Sequence, residues 1–291
     1  MRVRIITVGL VLGLLSSNAF ALIGSPNSEL DAGQWSIGSN YQYSSQDLDT
    51  MSLKYNYSWI DYEPGGAVDD QSSGSGTEKN NLKDLNINNY YGQVNYGLSD
   101  NLEVFGRLGM SDIKIKTQEV GDNEWLGVNL DNEFSWGLGA KYTLSEKENV
   151  NWGISCVMNW LNSSLDDEGY DYYEFGGYSE TEVWDDKIDF DIIDILIAVG
   201  PTFDMGEWKL YGGGFYQMTN ADLDVKETGS WEDSDDYYGV WTDKASGDSD
   251  TDSFGGFVGA EFGIGDSWNM AVEFLGSNNG WGAGAGIKIP F

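Results

Sequence analysis

Carboxylates dominate the reactive chemistry this chain can offer. They stand side by side as Asp166-Asp167, Asp185-Asp186 and Asp235-Asp236. Glycosidic acid–base hydrolysis needs two carboxyl groups across a bound substrate, one of them with a raised pKa. Adjacent acids in a polar stretch supply the groups without a cleft and read as solvated surface. Asp248, Asp250 and Asp252 alternate as the acids of a calcium loop do. However, Ser253 stands where such a loop turns on glycine, and Gly259 stands where it closes with glutamate. The expectation is no cofactor beyond Ca²⁺ or Mg²⁺ held loosely by acidic loops. The chain has no histidine, the commonest general base, and the expectation is a non-enzyme. Its one cysteine, Cys156, alternates with Ile154 and Met158. It reads as a small apolar residue facing lipid, and alone it can form no internal disulfide.

The elements that carry these residues are strands. Arg2 and Arg4, an apolar run over 5–15 and Ala19-Phe20-Ala21 form a signal peptide, so 1–21 is removed and 22–291 is the mature domain. The formal charge of −33 falls to −35 when the two arginines leave. So acidic a chain excludes nucleic acid as a partner. Ten segments then alternate apolar and small or polar residues with period two: 33–45, 87–98, 102–111, 134–144, 152–160, 193–203, 208–218, 254–264, 268–274 and 281–291. Connections after the first, third, fifth and seventh are long; the others are short. Residues 51–59 alternate as well. Counting them as a membrane strand would make the number odd, and the DDQSSGSGTEKNN stretch at 69–81 offers no twelfth strand, so they read as a ribbon inside a long polar loop.

The fold expected is all-β, an antiparallel up-and-down transmembrane barrel of about ten strands with long acidic outer loops. A soluble two-sheet sandwich would alternate in the same way. The terminal Phe291, the loop-length asymmetry and the aromatic strand ends count against it. Inward positions carry Glu103, Arg107, Lys141, Asp194, Lys209, Glu261, Glu273 and Lys288, four acids and four bases, with Phe105, Tyr211, Phe215 and Phe257 between them. These should pair and fill the lumen, and a narrow polar path for small solutes is the alternative. Three loops, 46–85, 162–187 and 220–252, hold eight, nine and eleven acids against three, one and two lysines. They also carry aromatics such as Tyr170, Trp184, Trp231 and Trp241. Such loops fit either a solvated surface or a recognition surface for carbohydrate, a cationic ligand or a protein partner.

The last eleven residues, WGAGAGIKIPF, put Trp281, Ala283, Ala285, Ile287, Ile289 and Phe291 on one face. This resembles the C-terminal signal of bacterial outer-membrane proteins, whose final phenylalanine is read by the barrel-assembly machinery. Over the whole mature chain the pattern is similar to small barrels of the OmpA/OmpX-like class. That resemblance implies outer-membrane localisation among lipid and lipopolysaccharide, with both termini in the periplasm, and names no activity. In outline the chain also resembles the omptin proteases, lipid A deacylases and outer-membrane phospholipases. Each of those active sites includes a histidine, so none can be carried over to this sequence.

Overall fold

The computed structural model describes residues 23–119, 126–175, 178–264 and 268–291; the signal peptide lies outside them. Ten strands follow in chain order: β1 (Trp35–Tyr62), β2 (Val68–Ser99), β3 (Leu102–Glu119), β4 (Leu126–Lys147), β5 (Val150–Phe175), β6 (Tyr178–Asp204), β7 (Trp208–Asp233), β8 (Tyr238–Ile264), β9 (Trp268–Ser277) and β10 (Gly280–Pro290). Each pairs antiparallel with its sequence neighbour, and β10 closes on β1, so the sheet is a closed barrel. The apolar face of the strands points out. Ile37, Val94, Leu138, Ile197, Val258 and Ile287 are among the exposed outward residues on six different strands. A sheet closed on itself with apolar side chains all round belongs in a bilayer, where it satisfies every backbone group internally. Cys156 is exposed on this outer face. Phe291, exposed at the end of β10, exchanges backbone hydrogen bonds with Trp35: its N–H donates to Trp35 O at 2.9 Å and its O accepts from Trp35 N–H at 3.2 Å.

The seam pairs Gly282 with Ser44, Gly284 with Gln42 and Gly286 with Asn40. The seam glycines and these polar partners fall on the lumen face. Gln42 is 3 % exposed, so there is little space for bulk beside it. Gly284→Trp should therefore lower the yield of folded, heat-modifiable protein in detergent several-fold. A variant that folded as well as the parent would show that the seam has room to spare.

Several segments expected as loops are strand instead. Residues 46–62 extend β1, and residues 68–85, including the Gly/Ser-rich stretch, form the start of β2 and pair with them. Residues 126–132 belong to β4. Residues 162–175 and 178–187 pair as β5 and β6, and residues 220–233 and 238–252 as β7 and β8. The acids of these segments are soluble, and charge on alternate residues does not prevent ladder hydrogen bonding. Register shifts between Gln46, Leu48 and Met51 change the phase of β1. A one-residue slip moves every side chain to the other face. Thus Leu53, Tyr55, Tyr57, Trp59 and Asp61 turn inward, whereas their alternation alone would suit a lipid-facing strand.

β9 and β10 are short, 10 and 11 residues. Above them β1 meets β8 directly, from Lys54↔Ser246 to Tyr62↔Tyr238, and the rings of Tyr62 and Tyr238 stack at 4.7 Å. Above the ends of β3, β4, β9 and β10 the extension is thus a curved six-stranded sheet in the order β2-β1-β8-β7-β6-β5.

Candidate functional site

All eight inward charged residues expected from the alternation face the lumen, and six of them are buried; Lys209 and Lys288 are partly exposed. They separate into two layers. The layer nearer the short turns is built around a segment the sequence reading did not place, residues 23–30, which enters the barrel from that end. The backbone N–H groups of Ile23 and Gly24 donate to the two carboxylate oxygens of Glu273 at 2.8 and 2.9 Å. Asn27 Nδ2 donates to Thr202 Oγ1 at 2.7 Å and to the Asn151 carbonyl at 3.2 Å. The Glu29 N–H donates to Glu103 at 2.9 Å. The Glu29 carboxylate accepts from Lys209 Nζ at 3.1 Å and pairs with Lys288 Nζ. Glu261 lies 4.0 Å from Lys209. Ile23 packs with Leu196, Tyr211, Phe215, Phe257 and Leu275 into one buried apolar cluster. A hydrophobic residue and an acid next to a cleavage site carry no sequence periodicity. The only available signal was a lumen with room for more than its own side chains.

The second layer is centred on Arg107. Its Nε donates to Asn159 Oδ1 at 2.8 Å, with a second contact from its terminal nitrogen to the same oxygen. Its guanidinium lies 4.8 Å from the Tyr91 ring centroid, a cation–π arrangement. Asn159 passes the chain of bonds to Asp194 at 3.3 Å, and Asp194 also accepts from Gln217 at 2.6 Å and Thr219 at 3.0 Å. Gly137 sits between Arg107 and Asn159 in the register. A Cβ there would lie 2.5 Å from Asn159 Oδ1 and 3.0 Å from Arg107 Nε, so only glycine lets the bridge form. Between the seam and the plug remains a cavity of about 70 Å³, lined by Gly24, Gly38, Gly286, Lys141, Lys288 and Gln93 among others. It has room for a few waters at about 10–15 Å³ each.

The inner face of the extension is the second candidate site. Residues adjacent in sequence point to opposite sides of a strand, so neither Asp166-Asp167 nor Asp185-Asp186 can act as a pair. The register instead joins one acid from each of four strands: Asp167↔Asp186, Asp186↔Glu227 and Glu227↔Asp243. Tyr57 of β1 completes the row. Like charges directly opposite one another destabilise a sheet. Burial, reinforced by Asp186 and Asp243, pushes the Glu227 carboxyl up to about 7. Burial, with Asp167 and Asp185 nearby, pushes Asp186 up to about 6. Burial also raises Asp243. Further out, Trp231 Nε1 donates to Asp61 at 3.2 Å across Gly239.

These shifts set a pH dependence. A carboxyl whose folded pKa lies above its unfolded value, about 4 for Asp and Glu, favours the folded state when protonated. The stability it contributes is full below about pH 4, falls as pH rises, and is gone above the folded values of about 6 and about 7. Denaturant midpoints followed by tryptophan fluorescence should therefore be higher at pH 5 than at pH 8. Glu227→Gln should make that slope measurably shallower, and an unchanged slope would clear Glu227 of responsibility.

Asp248, Asp250 and Asp252 lie on β8 rather than in a loop. Alternate residues of an extended strand sit roughly 6.5–7 Å apart, so they cannot wrap one ion as a calcium loop does. Among the described residues no group of three or more acids or cysteines converges on a metal position. Asp235 and Asp236 fall at the β7–β8 turn, where Asp236 has φ 67°.

No protein-family model matches the chain, and no curated protein sequence matches it. Among solved structures it is similar to the outer membrane protease OmpT from Escherichia coli, at 12 % identity and a TM-score of 0.42, covering 87 % of this chain and 97 % of that one. It is similar to the translocator domain of the autotransporter NalP from Neisseria meningitidis, at 10 % identity and 0.41, covering 91 % and 90 %. A third is the outer membrane protein OprG from Pseudomonas aeruginosa, at 10 % and 0.27, covering 90 % and 97 %. No function is taken from these likenesses.

Proposed function

We propose that this protein is a closed outer-membrane barrel, without enzymatic activity, that displays a recognition surface outside the cell. The plug formed by residues 23–30 carries the reading: its backbone and Glu29 side chain are bonded to Glu273, Glu103, Lys209 and Lys288, which places a chain segment across this end of the lumen. The apolar belt supports residence in lipid, among phospholipid and lipopolysaccharide. Short turns at one end and long hairpins at the other support termini in the periplasm and the extension outside. Phe291, exposed beyond the last strand, is available to the assembly machinery. Recognition then falls to the acidic, aromatic extension, which is the part of the molecule beyond the belt.

A narrow channel for small solutes is the alternative, favoured by the cavity beside Lys141 and Lys288. Planar-bilayer recordings separate the two. The intact mature protein is expected to be electrically silent. Stable, solute-sized openings would overturn the closed-barrel reading in favour of the channel.

A further inference from the structure

The inner face of the extension has a layered chemistry that its sequence does not display. The carboxylate row Asp167, Asp186, Glu227, Asp243 runs across four adjacent strands. Strand spacing of about 4.8 Å makes it a line of charge, not a point. On the side toward the barrel the next row is apolar: Leu165↔Ile188, Ile188↔Val225 and Val225↔Ala245. On the outer side the next row alternates glycine and tryptophan: Gly169↔Trp184, Trp184↔Gly229 and Gly229↔Trp241, with Trp241 opposite Trp59. A Cβ on Gly169 would lie 2.3 Å from the Trp184 ring and one on Gly229 2.0 Å from the Trp241 ring. Those indoles therefore lie flat over their neighbours' backbone, and their π-faces turn toward the interior beside the acids.

Among the described residues no positive side chain answers this row. The lysines at this level, Lys187, Lys226 and Lys244, pair with one another in register on the outer face of the same strands. Asp243 is 9 % exposed, and among the described residues its carboxylate has no hydrogen-bond or ion-pair partner. Asp186 Oδ1 is likewise buried without a hydrogen bond. Asp167 is exposed and Glu227 accepts a hydrogen bond from the Trp241 indole, so the cost of burying a carboxylate without a partner falls on Asp186 and Asp243, between an apolar row and an aromatic one.

We infer that this row binds a linear oligoamine, an aliphatic chain carrying several ammonium groups. Its ammonium groups pair with successive carboxylates, its methylenes run along the row between them, and the Trp184 and Trp241 rings add cation–π attraction. The linear arrangement selects against a single divalent ion, which needs acids converging on one point. The inference rests on reading the extension as the recognition element, and it names the class of ligand. Glu227 must release its proton to pair with an ammonium, so binding near pH 7 releases protons.

Isothermal titration of the full mature barrel in detergent, with the tetra-amine spermine as probe and 1,4-diaminobutane and CaCl₂ as comparators, tests it. Spermine should bind at least tenfold more tightly than the diamine, and the heat should vary with buffer ionisation. Glu227→Gln/Asp243→Asn, which keeps side-chain shape, should weaken binding at least tenfold. An outward control of equal charge loss, Asp222→Asn/Asp248→Asn, should leave it unchanged, with heat-modifiable migration showing that both variants are folded. Equal losses in the two variants would reduce the effect to general surface charge and overturn the inference. So would absence of binding, or Ca²⁺ binding as tightly as spermine and competing with it. The titration is independent of conductance: a silent bilayer with no spermine binding refutes only the ligand, whereas a conducting bilayer refutes the closed-barrel reading whatever the titration shows.

Discussion

Glu29→Gln should destabilise the folded barrel by about 3 kcal/mol, the lower end of the ~3–5 kcal/mol seen when one partner of a buried ion pair is removed. The Glu29 carboxylate is 6 % exposed and accepts from both Lys209 and Lys288. Glutamine has nearly the same shape but removes the charge. Two ammonium groups would then face each other with Glu261 as the nearest remaining acid. The lower end of the range applies because the Lys209 side chain is 34 % exposed, so water screens part of the uncompensated charge. The measurement is equilibrium urea unfolding in detergent or bilayers, extrapolated linearly. Asp31→Asn is the control: it lies in the same entering segment but is exposed, and should change stability by less than about 0.5 kcal/mol. If the two variants shift the midpoint equally, Glu29 does not hold the plug. A second readout separates plug release from global loss. In Glu29→Gln, a protease that leaves the parent intact should cut within residues 23–34.

Arg107→Met should destabilise the barrel by about 1–3 kcal/mol, the cost of leaving buried polar groups without their partner, because Arg107 at 2 % and Asp194 at 1 % exposure are both buried and are joined through Asn159. Removing the guanidinium takes away the one cation that acts on Asp194 among the described residues, together with the bond to Asn159, and leaves the carboxylate among neutral donors. The diagnostic is the double variant. Arg107→Met/Asp194→Asn removes both buried charges, and since a lone buried charge is the costly state, it should recover part of the loss. The coupling from a double-mutant cycle should be well above the few tenths of a kcal/mol expected for independent sites. An additive cycle would mean that Arg107 acts by packing on Tyr91 and Asn159, with no electrostatic partnership. Because Arg107 and Glu29 occupy separate layers of the lumen, the losses from Glu29→Gln and Arg107→Met should add.

The sequence by itself determined the barrel. Period two is a local property of the extended chain, so Trp281 to Phe291 could be assigned an outer and an inner face without knowing any neighbour. The same alternation sent Glu103, Arg107, Lys141, Asp194, Lys209, Glu261, Glu273 and Lys288 inward, and the structure places all eight there. Loop-length parity gave ten strands, and β10 does close on β1. Where the hairpins end was not legible. Acidic, glycine-rich segments such as 68–85 have weak strand propensity, and they are strands because a paired neighbour satisfies their backbone. Phase was illegible for a related reason. Tyr55, Tyr57 and Trp59 alternate perfectly, but the irregularity before Met51 decides which way they face, and it is set by pairing with β2.

Partnership belonged to the tertiary structure alone. Asp166-Asp167 and Asp185-Asp186 look like pairs along the chain, yet a strand turns adjacent side chains apart. The acids that meet, Asp167, Asp186, Glu227 and Asp243, are 19, 41 and 16 positions apart in sequence, and only register brings them into one row. Glu29 is the same case in the lumen. Nothing local marks it as a keystone, because its partners Lys209 and Lys288 are supplied by β7 and β10, which approach it only when the barrel has closed around residues 23–30.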